Sequence, residues 1–191
     1  MRCFIVISAT AFFACIFILF IIAVWVLFVP SGGGGRSSKR HRRYVAKARK
    51  VSSVLRGGTL APGQAMAYLR KVNPYVFEEV VLEGFRGKGF GIHRNRRYSG
   101  DGGVDGRVDI DGKEYLIQCK RYCGHIDRRH VEDFSRVCLR ENREGYFVHT
   151  GRTGKGARDE AEHWGNVRVV SGRKLLDLLG YRGPEGKKQQ L

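Results

Sequence analysis

Asp105, Gln118 and Lys120 are the residues of this chain whose types and spacing best suit chemistry. Asp105 leaves the glycine-rich stretch Gly100-Asp101-Gly102-Gly103-Val104, and Gln118-Cys119-Lys120 follows after a hairpin signal at Asp111-Gly112. An Asp carboxylate and a Gln carbonyl oxygen are hard ligands suited to Mg²⁺, with Mn²⁺ as the alternative. The backbone carbonyl of Cys119 offers a further oxygen. A cation held there would polarise a phosphate and activate a water. Lys120 would stabilise the crowded phosphate or orient the water. The chemistry implied is metal-assisted cleavage of a phosphodiester. A neutral amide leaves the site one negative charge short of a two-carboxylate set, which predicts modest metal affinity.

The elements that must position these groups are legible in part. Glu114 to Arg121 reads as a strand, on which Gln118 and Lys120 share one face and Tyr115, Ile117 and Cys119 the other. Val104 to Asp111 alternates apolar and polar residues as a preceding strand, and the hairpin brings Asp105 near Gln118 and Lys120. Thr59 is expected to cap a short helix from Pro62 through Leu69. Asn73-Pro74 opens a clearer helix, with Val76, Phe77, Val80, Val81 and Phe85 as an apolar stripe and Glu78 beside it. Phe90 to Arg96 reads as a strand, Asp127 to Asn142 as a helix, and Tyr146 to Thr150 as a buried strand. A helix over 155–164, a strand over 167–170 and a closing helix over 174–179 complete the order. That order, αβββαβαβα, predicts an α/β fold with a mixed sheet flanked by helices.

These residues resemble the Mrr-like branch of the PD-(D/E)xK nucleases over about Asn73 to Gly180. Phe77-Glu78 is similar to that family's Phe-Glu pair, Asp101 and Asp105 to the acids of its GDGG-x-D turn, and Gln118-Cys119-Lys120 to its Q-x-K. Phe147 to Thr150 resembles its late strand and Leu175 to Leu179 its closing helix. The resemblance implies a restriction-endonuclease-like core and Mg²⁺-dependent DNA cleavage. It implies Asp105 and Gln118 as metal ligands, Lys120 as the catalytic cation and Glu78 as an accessory acid. His93, His125 and His149 are weaker candidates for a place near a phosphate.

The ends of the chain carry separate expectations. Phe4 to Val29 contains no charged residue, and a helix that long spans about 39 Å, enough to cross a bilayer. Eight Lys/Arg residues lie between Arg36 and Lys50 with no acid, which by the positive-inside rule places the long C-terminal part in the cytoplasm. The expected organisation is therefore a transmembrane anchor over 1–30, a Gly-rich and basic linker over 31–58 and a connecting helix over 59–72. The nuclease domain occupies 73–180 and a flexible tail 181–191. The location read from it is the cytoplasmic (inner) membrane, single-pass. The formal charge is +17, and all 18 acids lie beyond residue 56, where Lys and Arg still outnumber them. This balance favours a polyanionic partner. DNA is expected against Arg36, Lys39, Arg40, Arg42, Arg43 and Arg121, with anionic headgroups near 36–50. A homodimer is also compatible. The rival to a membrane-anchored endonuclease is an inactive DNA-binding module that tethers DNA to the membrane. Five cysteines in no framework pattern fit free thiols in a reducing compartment.

Overall fold

The turn at Asp111-Gly112 sets the register of the central hairpin. Both residues have positive φ, 51° and 79°, as a two-residue type I′ turn requires. Strands β2 (Gly106–Ile110) and β3 (Lys113–Lys120) therefore pair antiparallel, with Ile110 opposite Lys113 and Asp109 opposite Glu114. The structure, a computed structural model, describes residues 35–95 and 103–184. Strand β1 (Gly91–Arg94) adds antiparallel to β2, while β4 (Gly145–His149) and β5 (Val167–Val170) add in parallel on the far side of β3. The sheet order is β1-β2-β3-β4-β5. Parallel neighbours need crossovers, and α4 (Arg128–Arg140) and α5 (Lys155–Trp164) supply them. The mixed, helix-flanked sheet expected from the sequence is the fold observed.

Two cores lie on opposite faces of the sheet. On one, α1 (Gly35–Arg56), α2 (Pro62–Lys71), α3 (Pro74–Gly87) and α6 (Gly172–Leu178) bury Leu55, Leu69, Phe77, Val80 and Leu175 against Val108, Tyr115 and Ile117. On the other, α4 and α5 bury Val131, Phe134 and Ala157 against Leu116 and Phe147. Helix α3 begins as its sequence dictates: Asn73 Oδ1 accepts from Tyr75 N–H at 3.1 Å and Pro74 occupies the first turn. Its apolar stripe is buried throughout. Each fully buried Leu or Phe contributes about 1.5–3 kcal/mol.

Several expectations need correction. The transmembrane helix over Phe4–Val29 is not supported. No helix among the described residues is long and apolar enough to cross a membrane, and residues 4–29 lie outside the described residues. Helix α1 has 22 residues, but its run of Lys and Arg is incompatible with hydrocarbon. The membrane-anchored function, the membrane as a partner and the inner-membrane location are set aside with it. The basic stretch expected as linker is helix α1, and Ala48, Val51 and Leu55 of that helix are core residues. Thr59 does not cap α2. Ala61 occupies the N-cap position, its N–H held by Gln64 Oε1 at 2.8 Å. The start of the expected flexible tail is anchored: Tyr181 donates its hydroxyl to Leu60 C=O at 2.6 Å and Arg182 its N–H to Leu55 C=O at 3.1 Å. Residues 185–191 lie outside the described residues.

Candidate active site

Asp105 enters the sheet through an irregularity. Its N–H donates to Ile117 C=O at 2.8 Å, although the ladder already pairs Gly106 with Ile117. Two residues thus face one, as in a β-bulge, which re-aims a side chain. The stems of the glycine-rich turn are tied together by Asn95 Nδ2, which donates to Val104 C=O at 2.5 Å. Asp101 lies outside the described residues. Asp105 Oδ2 accepts the Cys119 N–H at 2.6 Å. This bond fixes the carboxylate against the middle of Gln118-Cys119-Lys120.

Gln118 lies close to the Asp105 entry. Gly103 has φ +92°, a conformation that favours glycine, and a Cβ there would stand 2.9 Å from Gln118 Nε2. Gln118 Oε1 is buried and has no hydrogen-bond partner among the described residues. An unsatisfied buried acceptor costs about 1–3 kcal/mol, and a bound cation removes that cost. The amide oxygen and the Asp105 carboxylate therefore fit a hard divalent ion. Lys120 ends β3, and its C=O accepts Thr150 N–H at 3.2 Å.

Glu78 reaches the same place from α3. Its carboxyl is pushed up to about 8 by burial, then by the negative charges of Asp105 and Glu79, with the nearby charge of Lys120 acting the other way. Glu78, Asp105 and Lys120 thus form one electrostatic unit. The Cys119 thiol is held well above its usual value by burial, and then by Asp105, Glu78 and Glu79, so it is not a nucleophile at neutral pH. Glu79 faces elsewhere. It is buried, accepts from Arg94 Nε at 2.8 Å and lies 3.4 Å from His41 Nδ1.

The other expected contacts divide. Lys39, Arg40, Arg42 and Arg43 are exposed on α1. The side chain of Arg36 lies outside the described residues. Arg121 is exposed, but its Nη1 donates to the Arg70 and Val72 carbonyls at 2.9 and 3.1 Å, which ties β3 to α2. His149 does not meet a phosphate: it is buried, its Nε2 lies 3.1 Å from Thr153 Oγ1, and burial lowers it to about 4.

A second group of ligating side chains gathers at the turn end of the hairpin. His93, Asp109 and Glu114 bring one ligand atom each within 4.8 Å of one another, a donor set compatible with a divalent cation. The register set by Asp111-Gly112 places Asp109 beside Glu114 and was readable in advance. The addition of His93 from β1 was not.

A mixed sheet flanked by helices, with acid, amide and lysine gathered at the entry of one hairpin, defines a restriction-endonuclease-like protein. Residues 69–179 match the Mrr_cat family model, described as "Restriction endonuclease", and the chain belongs to that family. It is 27% identical over 124 residues to the type IV methyl-directed restriction enzyme EcoKMrr of Escherichia coli (strain K12). The match covers 61% of this chain and 41% of that protein. A solved structure, "MspJI Restriction Endonuclease in Complex with 27-mer Oligonucleotide", is similar at 24% identity over 66% of this chain and 33% of that one, with a TM-score of 0.47. Family membership and the His93–Asp109–Glu114 donor set support nuclease-like enzymatic activity in general terms.

Proposed function

We propose that the protein is a metal-dependent endodeoxyribonuclease whose reaction runs at Asp105, Gln118, Lys120 and Glu78. The observation that carries this reading is the buried, unpartnered Gln118 Oε1 on the strand whose next residue, Cys119, holds the Asp105 carboxylate by its N–H. The family and the restriction enzyme among its relatives support DNA as the substrate.

Asp105, Gln118 Oε1 and the Cys119 backbone carbonyl would hold Mg²⁺, with Mn²⁺ as a substitute. When bound, the cation supplies a Lewis acid for the scissile phosphate and lowers the pKa of a water. Asp105 is kept in place by the Cys119 N–H. Lys120 presents its ammonium to the charge that develops on the phosphate oxygens. The Glu78 carboxyl, coupled to Asp105 and Lys120, would serve as an accessory acid that orients Lys120 or a water at the cation.

The test is cleavage of supercoiled plasmid by the full chain, with Mg²⁺ and with EDTA, beside Lys120→Ala. Nicked or linear product that needs Mg²⁺ and Lys120 supports the reading. Equal product in EDTA, or from Lys120→Ala at the wild-type rate, refutes it.

A further inference from the structure

Arg42, Arg49 and Arg56 recur every seven residues along α1. At 3.6 residues per turn each step drifts by only about 20°, so the three share one flank of the helix. The adjoining face carries the buried Ala48, Val51 and Leu55, which fix that flank relative to α3. With Arg86 and Arg94 these arginines line two depressions that share Arg49 and Arg86, of about 400 and 480 Å³.

The charge of this groove is not cancelled. Glu83, which lines one depression, and Glu79 are buried and already engaged. Arg94 donates to both, at 2.8 Å to Glu79 and 2.5 Å to Glu83, and Arg86 pairs with Glu83. Arg42, Arg49 and Arg56 make no ion pair among the described residues. At the groove's other end lie His41, Arg42 and Arg94, and His41 and Arg94 meet Glu79, the residue after Glu78.

We propose that this groove holds the phosphodiester backbone of duplex DNA away from the bond that is cut, as a fixed cationic track leading to the Glu78 end of α3. That DNA is the substrate rests on the preceding reading. From Arg42 to Arg56 the helix rises about 21 Å, which matches roughly six base-pair steps of about 3.4 Å. Guanidinium groups suit phosphate in a bidentate fork. Such contacts orient a duplex and set affinity without reading its sequence.

The test measures binding of a fluorescent duplex to the full chain in EDTA across a salt series. It compares wild type, R42Q/R49Q and the control R140Q/R158Q on the opposite layer. Arg56 is spared because its guanidinium packs against Gly87 and Gly180. The track predicts that R42Q/R49Q lowers the slope of log affinity against log salt by up to about 1.8, while the control changes it much less. R42K/R49K, which keeps the charges, should keep most of the slope and shows that the region still folds. A slope for R42Q/R49Q equal to wild type, or a loss no larger than the control's, overturns the track. Wild-type binding without Mg²⁺-dependent cleavage would refute the nuclease reading alone and leave the track standing on the slope comparison.

Discussion

The two ends of the β2–β3 hairpin both gather ligating side chains, and they differ in how those side chains are satisfied. At the turn end, His93 Nε2 lies 2.6 Å from Asp109 Oδ2, and Glu114 Oε1 accepts from Arg143 at 2.6 Å and faces Arg107 at 3.7 Å. One ligand atom of each residue already has a partner, and His93 is exposed. About 13 Å further along the strand, Asp105 and Gln118 sit half-buried with an acceptor left unpartnered and Glu78 pushed up to about 8. Ligand type alone does not separate the two. An uncompensated polar cost does, because a bound cation and substrate can relieve it.

The contrast is broken most directly by mutation at each end. Lys120→Ala should lower single-turnover cleavage by about 10²–10³-fold, the usual effect of losing one group that stabilises transition-state charge. Glu114→Ala should leave the rate within about twofold while releasing Arg107 and Arg143. The opposite order would move the reaction to the turn end.

A smaller effect concerns α1. Leu55 is fully buried, so Leu55→Ala should cost about 2–5 kcal/mol in a urea melt, and deletion of residues 1–56 should destabilise the whole domain. A deletion that melts like the full chain would mean that α1 is an appendage.

The smallest effect sharpens the electrostatic difference. The folded Glu78 carboxyl titrates near 8, above its ordinary 4.5, so between those values the folded state holds a proton that the unfolded state has released. Stability of the metal-free protein should therefore fall as pH rises from about 4.5 to 8. Glu78→Gln removes that dependence. After allowance for the group's partial exposure, the variant should gain about 1 kcal/mol at pH 8, or roughly 2–4 °C in Tm, and little at pH 5. Parallel melting curves for the two proteins across this range would contradict the strained carboxyl.

Much of this contrast was open to sequence reasoning where the signals are local. Asn73-Pro74 and the Val76–Phe85 stripe placed α3. Asp111-Gly112 and the Q-x-K strand placed the hairpin, and with it Asp105 beside Gln118. What remained hidden depends on distant packing. In α1 the stripe Tyr44, Ala48, Val51, Leu55 has helical spacing, but eight cations around it read as a solvated linker. Glu79 and Glu83 look like surface acids until Arg94, from another element, is seen to bury with them. The place of His93 required the register of β1, which the intervening glycine-rich segment leaves undetermined.

If the reaction belongs to the Asp105 end of the hairpin, the two ends must respond differently to loss of one carboxylate. The most direct measurement compares Mg²⁺-dependent plasmid cleavage by Asp105→Asn and Asp109→Asn in the full chain, at matched protein and metal. Each substitution removes one carboxylate charge from one end and conserves shape. The account predicts that Asp105→Asn cuts at least about 10²-fold more slowly while Asp109→Asn cuts at close to the wild-type rate. Loss of cleavage in Asp109→Asn with Asp105→Asn unimpaired would contradict it.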